Sequence, residues 1–404
     1  MSSSIFPDTH TDLKDLFFVD ENTGWIVGAV DNIWKTNDGG HSWIEQTGEF
    51  WTVYDVDFVD ASNGWAVGDG PYNGDAKIYH TTDGGTNWTE QTSGTENWFA
   101  AVDFIDTNNG WAVGYAGTIL HTSDGGNNWS EQSSGTGEYL NDVIFLDSQT
   151  GWVCGTNGII LHTTDGGTNW SQQTNSNDNN LYSMYFLDSN HGFAVGAEIT
   201  ILETTDGGSA WNEITTGSYT DPSYNSITFA DQLNGWIVGD NGTLLTTTDG
   251  GSTWTEQINP TGVDLESVFF VNPTTGWAVG DNGAILKTST AGEIPVAINE
   301  PDFVDTEPQK YMLPQNYPNP FNPTTTIRYG LPETGQVRMT IFNLYGQKVV
   351  DLVNTTQNPG YYETIWNGKN RDGVSVSSGV YICYINVVGR TESYSKNIKM
   401  LLMK

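Results

Sequence analysis

A pentapeptide of the form Gly-Trp-x-Val-Gly, or a close variant, recurs seven times along the first three quarters of the chain. Its aromatic residue falls at Trp25, Trp65, Trp111, Trp152, Phe193, Trp236 and Trp277, at intervals of 40, 46, 41, 41, 43 and 41 residues. A period of this size belongs either to propeller blades or to helical repeats. The residue types decide between them: Gly, Thr, Val, Trp and Asn dominate, turn signals come about every ten residues, and no apolar spacing of helical period is present. One unit shows the plan. "VYDVDF" alternates, with Val56 and Phe58 on one side and Asp55 and Asp57 on the other; "GWAVG", "KIYHTT" and "NWTEQT" follow as three further short strands. Four antiparallel strands per repeat make a propeller blade, so the reading is an all-β fold whose first part, residues 1–291, is a seven-bladed β-propeller.

A second phrase, Thr-x-Asp-x-Gly-x-x-Trp, occurs six times between the third and fourth strands, with its acid at Asp38, Asp83, Asp124, Asp165, Asp206 and Asp249. Asp-Gly-Gly suits a tight turn needing positive φ. The carboxylate can accept hydrogen bonds from the turn's own N–H groups, and the Trp can bury its ring between blades. Six copies around a ring serve folding; an active site requires asymmetry. Asp20, Asp60, Asp106, Asp147, Asp188 and Asp231, with Asn272 in the seventh repeat, each stand two residues after the first-strand Phe and fit Asx turns. The seventh repeat runs from "AILKTST" into "AGEIP" with no box and no evident fourth strand. Counting back from Phe18 by the usual spacing assigns that strand to residues 2–7.

Charge divides the chain. Residues 1–295 hold 4 Lys, no Arg and 40 Asp+Glu, whereas residues 296–404 hold 10 Lys+Arg and 9 Asp+Glu. Such an acidic first part is repelled by nucleic acid and anionic lipid. No stretch is apolar enough to insert in a membrane. Cys154 and Cys383 fall on opposite sides of the divide and read as buried, unpaired core residues. No cofactor is implied.

The repeated phrase resembles the Asp-box, or bacterial neuraminidase repeat. With "GWAVG", the unit looks most like propellers related to photosystem II stability/assembly factors. The residues after 292–312, a Pro-containing linker, carry a different resemblance. "YPNPFNPTTTIRYGLP", "NLYGQKV", "WNGKNRDG", "SSGVYICYI" and the terminal "KMLLMK" are similar to the type A C-terminal sorting domain of the type IX secretion system, which implies an immunoglobulin-like β-sandwich over 313–404. It also implies a Bacteroidetes-type bacterium, the secretion machinery as partner, and an extracellular or outer-membrane surface location. Such cargo carries a Sec signal peptide; "MSSSIFPDTH" has neither basic region nor apolar core, so the chain reads as a mature or truncated form.

These resemblances bound the function. Asp-box sialidases hold a carboxylate substrate with three arginines, and photosystem factors use an arginine patch; this propeller has no Arg, and Lys offers no bidentate fork. No catalytic residue is assigned. The reading is a non-catalytic propeller binding an extracellular glycan or protein. The alternatives are a glycoside hydrolase with an acidic pair in the central cleft and a structural or adhesion module. His80, His121 and His162 share one strand position; since Lys, Glu or Thr fills it elsewhere, a solvated face is expected and no metal site. Ligand contact is expected on the face opposite the boxes, where loops vary. Trp51, Trp98 and Tyr139 lie in blade connections there and are the candidate ligand-binding residues; packing between blades is the competing reading for them.

Overall fold

The structure, a computed structural model, describes residues 11–403 apart from 30–32, 47, 49, 71–75, 176, 216–221, 258–261, 289–295, 298–310, 312, 314–320, 322, 372 and 391–392. Seven four-stranded antiparallel sheets follow one another along the chain, each with its strands in sequence order. In the third they are Phe99–Phe104, Gly110–Gly114, Thr118–Thr122 and Ser130–Ser133. First strands of successive sheets pack side by side all the way round, and Leu13–Phe18 of the first meets Leu265–Asn272 of the seventh. The sheets therefore form a closed seven-bladed propeller. The Gly-Trp-x-Val-Gly segments of the second strands are buried along their whole length. Each is covered on both faces by neighbouring blades, which is why "GWAVG" reads as a continuous apolar run and not as an alternation.

The repeated residues interlock. Each second-strand aromatic lies on the first-strand Phe of the next blade: Trp65 on Phe104 at 3.5 Å between centroids, Trp111 on Phe145 at 3.5 Å, Trp236 on Phe270 at 3.5 Å. That Phe also covers its own sheet's "GW" glycine; a Cβ at Gly110 would come within 2.4 Å of the Phe104 ring. Four of the six indoles then donate to a box carbonyl of the next blade, among them Trp25 Nε1 to Gly84 at 3.2 Å and Trp65 Nε1 to Gly125 at 3.3 Å. The Nε1 atoms of Trp111 and Trp236 are buried without a partner among the described residues. His80, His121 and His162 are not a solvated row. Each stacks on its own blade's Trp at 4.6 to 4.7 Å, and burial lowers its pKa.

Within each box the Thr hydroxyl and the Asp carboxylate tie the turn to itself. In the second blade Thr81 Oγ1 donates to Asp83 at 3.0 Å and accepts from Gly85 N–H at 2.8 Å, while Asp83 accepts from Asn87 N–H at 2.8 Å and Asn87 Nδ2 at 2.7 Å. Asp38, Asp124, Asp165, Asp206 and Asp249 repeat the Thr and backbone bonds. The glycines supply the positive φ that this turn needs, +68° at Gly84 and +91° at Gly85.

Ring closure corrects one expectation. Residues 2–7 lie outside the described residues, and the outermost strand of the seventh sheet is Val296–Ala297, paired with Lys287 and Leu286. It follows Ala284–Thr288 directly in the chain and pairs with it as the fourth strand pairs with the third in every other blade. The seam itself is made by side chains. Trp277 stacks on Phe18 at 3.6 Å and donates to Gly39 O at 3.0 Å, Lys287 Nζ reaches the same carbonyl at 2.9 Å, and Ser267 donates to Asp15 at 2.7 Å. We therefore expect a propeller ending at residue 299 to melt like the propeller of the full chain. One ending at 292 should melt several degrees lower, as loss of roughly 1–2 kcal/mol implies. Equal melting temperatures for the two truncations would show that this strand contributes nothing.

The chain divides into compact units 1–299 and 300–404, so Val296–Ala297, inside the stretch read as linker, belongs with the propeller. The second unit is a β-sandwich. One sheet orders Lys348–Gln357, Gly335–Asn343, Gly379–Gly389 and Ser393–Leu402; the other pairs Thr325–Leu331 with Gly360–Trp366. Its core holds Ile327, Tyr329, Met339, Ile341, Trp366, Ile385 and Met400, and also Tyr311 and Leu313, so the sandwich begins by residue 311. Cys154 and Cys383 are free and buried. No helix among the described residues is long and apolar enough to cross a membrane.

Candidate ligand-binding face

Alternation along the first strand holds only in part. In each blade the ladder to the second strand slips by one residue near the strand start, at Val53/Asp55 in the second blade and Leu140/Asp142 in the fourth. The extra residue is a β-bulge, which bends the strand and re-aims a side chain. It sends Tyr54, which strict alternation groups with Val56, toward the channel mouth. Past it ordinary alternation resumes and puts Asp15, Asp55 and Asp142 on the channel wall in equivalent positions, with Ala101 in blade three and Ser183, Ser226 and Ser267 in blades five to seven.

These channel residues hook one blade to the next. Asp15 accepts from Val56 N–H at 3.1 Å, Asp55 from Val102 N–H at 2.6 Å and Asp142 from Met184 N–H at 2.7 Å. Two residues further on, Asp57 accepts from Phe104 N–H at 2.7 Å and Asp103 from Phe145 N–H at 2.6 Å. In blades five and six, Ser183 and Ser226 do the same at 3.4 and 3.3 Å. Burial pushes the Asp57 and Asp142 carboxyls up to about 7. It raises Asp15 as well; Asp55 and Asp103 are raised by burial and then by neighbouring carboxylates. Each of these acids thus accepts a backbone N–H of the adjacent blade, and Asp15 and Asp55 also hydrogen-bond each other. Among the described residues no group of three or more His, Cys, Asp or Glu is arranged to hold a metal ion.

At the mouth, on the side of the blade connections, four aromatic side chains from blades two to four meet. Trp98 lies 5.4 Å from Tyr54, 6.2 Å from Tyr115 and 6.1 Å from Tyr139 between ring centroids, and Tyr115 lies 4.8 Å from Tyr139. Tyr139 is 42% and Tyr115 38% exposed. Tyr54 donates to Asp69 at 3.2 Å, and burial followed by the Asp69 charge pushes its hydroxyl up to about 12. Glu138, next to Tyr139, accepts from Thr156 Oγ1 at 2.8 Å and Asn157 Nδ2 at 2.7 Å, which pins the fourth blade's loop against the connection.

Of the residues picked from sequence, the structure brings Trp98 and Tyr139 together. Trp51 is 42% exposed and makes no ring contact among the described residues. The residue equivalent to Trp98 and Tyr139 is Thr52, whose carbonyl meets Gly68 as those of Trp98 and Tyr139 meet Gly114 and Gly155; Trp51 stands one position earlier. Tyr54 and Tyr115 were missed. Tyr115 could have been found, since it directly follows "GWAVG" in the loop on this face; Tyr54 depends on the bulge.

Residues 46–131, 88–178 and 169–259 match the family described as photosynthesis system II assembly factor YCF48. Residues 315–400 match the secretion system C-terminal sorting domain. No curated protein matches the chain. Among solved structures, YCF48 bound to D1 peptide is 22% identical with a TM-score of 0.60, over 70% of this chain and 93% of that one. YCF48 from Cyanidioschyzon merolae is 19% identical at 0.59, over 70% and 97%. PorZ, described as an essential bacterial surface component of the type-IX secretion system of Porphyromonas gingivalis, is 15% identical at 0.55. That match takes in 100% of this chain and 61% of PorZ. At these identities the likeness concerns the fold. The sorting domain marks the protein for the cell surface or the extracellular space, as in Bacteroidetes with type IX secretion. Its repeats, matched across residues 46–259, place the chain in the photosynthesis system II assembly factor YCF48 family.

Proposed function

We propose that this protein is a secreted, non-catalytic binding module that holds an extracellular glycan or protein on the face formed by Tyr54, Trp98, Tyr115 and Tyr139. In this reading residues 313–404 engage the type IX secretion machinery. The carrying observation is the contiguous aromatic cluster, two of whose rings stand exposed on a scaffold otherwise locked by repeated bonds. Aromatic faces beside hydrogen-bonding groups suit both sugar rings and peptide side chains. The channel carboxylates each accept a backbone N–H of the neighbouring blade and so serve the cohesion of the ring.

The test is a retention screen on immobilised polysaccharides and peptides, followed by titration of any ligand found. Tyr139→Ala is expected to weaken binding about tenfold or more, as for a central aromatic anchor, while changing the melting temperature little. Trp51→Ala, away from the cluster, is expected to leave affinity unchanged. Release of reducing sugar by the intact chain, or undiminished binding by Tyr139→Ala, contradicts this function.

A further inference from the structure

We infer that the partner at this face is a cationic, arginine-rich stretch of extended polypeptide; the inference rests on the aromatic cluster being the binding face. The propeller has few cations and spends them internally. Its four lysines are all engaged within the fold. Lys14 pairs with Glu266 at 2.6 Å and Lys77 with Glu90 at 2.8 Å. Lys35 and Lys287 donate to the box carbonyls of Gly84 and Gly39, each at 2.9 Å, while lying over Trp25 and Trp277. With no arginine before residue 328, the propeller keeps no cation in reserve for a carboxylate, sulfate or phosphate on a ligand. An anionic partner would meet only repulsion.

Acidic side chains surround the rings. Asp69 sits against Tyr54, Glu138 precedes Tyr139, and the exposed Glu96 precedes Trp98 by two residues. Further round the same face, the connections and loops of blades six, seven and one carry more acid. Asp264 accepts from Asn241 N–H at 2.6 Å and Asp12 from Asn282 N–H at 3.2 Å. Asp281 beside them is raised by burial and then by the charges of Asp12 and Glu266, so Lys14, paired with Glu266, offsets only part of the negative charge of this crescent.

Cations fit these rings chemically. The fold already sets an ammonium over an indole at 4.9 Å and 5.2 Å, and the exposed faces of Tyr115 and Tyr139 offer the same interaction to an incoming group. Guanidinium is the better match: it is planar, stacks on aromatic rings, and can grip a flanking carboxylate through two parallel hydrogen bonds. An extended peptide presents such groups at intervals, so one can stack on the cluster while others reach the acidic crescent.

The experiment titrates the full chain with three probes: a decapeptide alternating arginine and glycine, its glutamate counterpart, and a neutral cello-oligosaccharide. The arginine peptide is expected to bind. Its affinity should fall about tenfold or more between about 50 mM and about 300 mM salt, where screening shortens the reach of the acidic face. Tyr139→Ala and Glu138→Gln should each weaken it severalfold at constant salt, with unchanged melting temperature. Tyr139-dependent binding of the oligosaccharide or the glutamate peptide, without binding of the arginine peptide, overturns this inference and leaves the aromatic face standing as a binding site. Arginine-peptide binding that is indifferent to Tyr139→Ala overturns both, since the attraction would then be diffuse charge alone.

Discussion

Trp277→Ala is expected to destabilise the propeller by about 3–5 kcal/mol, the cost of removing a buried large aromatic side chain. Trp277 is 1% exposed and closes the ring. It is flat against Phe18, under Lys287, and bonded to Gly39 O. Its loss opens the one seam that chain connectivity does not hold. The comparison that isolates the indole hydrogen bond is Trp277→Phe against Trp111→Phe. Trp111 stacks as closely on Phe145, but its Nε1 has no partner among the described residues. Trp277→Phe should therefore cost about 1 kcal/mol more, the net worth of one such bond. The protein itself tolerates Phe193 at this position in the fifth blade, where the ring lies on Phe229 at a looser 5.1 Å. Urea unfolding of the isolated propeller measures all three variants. A Trp277→Ala cost no larger than that of the exposed Trp51→Ala would show that the seam is held elsewhere.

The second large effect is on pH. Melting temperature is expected to rise as pH is lowered from about 8 to about 5, and to fall again only below about 4. The upper limb comes from the channel. Asp57 and Asp142 are pushed up to about 7 by burial, and Asp15, Asp55 and Asp103 are raised too. An acid with a raised folded-state pKa binds its proton more tightly in the folded than in the unfolded chain. Its contribution is complete below the ordinary carboxylate range near 4 and is lost as pH climbs through about 7. A tenfold change in acidity corresponds to about 1.4 kcal/mol, so the channel supplies a change on the order of several kcal/mol. The lower limb has the opposite sign. Asp83, Asp124 and Asp165 in the boxes are held below the ordinary range by Asn87, Asn128 and Asn169, through side chain and backbone N–H. Asp60 and Asp147 in the Asx turns are held down by the turn's own donors. Their stabilisation is present above pH 4 and disappears as they protonate. Asp57→Asn with Asp142→Asn should flatten the upper limb while leaving the lower one. A melting temperature that instead climbs steadily from pH 5 to pH 8 would show that the channel acids are ionised without penalty.

The repeat, and with it the blade, was legible in the residues alone. Gly-Trp-x-Val-Gly at a period near 41 residues pointed to four short strands per unit. Thr-x-Asp-x-Gly-x-x-Trp pointed to a turn bonded to its own Asp, and the likeness of "YPNPFNP" and "KMLLMK" to a sorting domain implied a separate sandwich. These features are local: a turn's hydrogen bonds join residues two to four positions apart, so the pattern is written where it acts. Trp98 and Tyr139 were legible for the same reason, as aromatics in matching positions of consecutive repeats.

The remaining features came from packing, because they depend on residues far apart in the chain or on a break in periodicity. The bulge that turns Tyr54 to the mouth is one extra residue in a strand whose alternation looks unbroken. The strand completing the seventh sheet, Val296–Ala297, carries none of the box signature that marks its counterparts. The three histidines resembled a solvated row because sequence lists a position's variants without showing the Trp each one covers. The channel acids offered Asp55 and Asp57 as ordinary polar-face residues; that each hooks a backbone N–H more than forty residues away, and is made reluctant to ionise by burial there, follows from the curvature that brings first strands together around one axis.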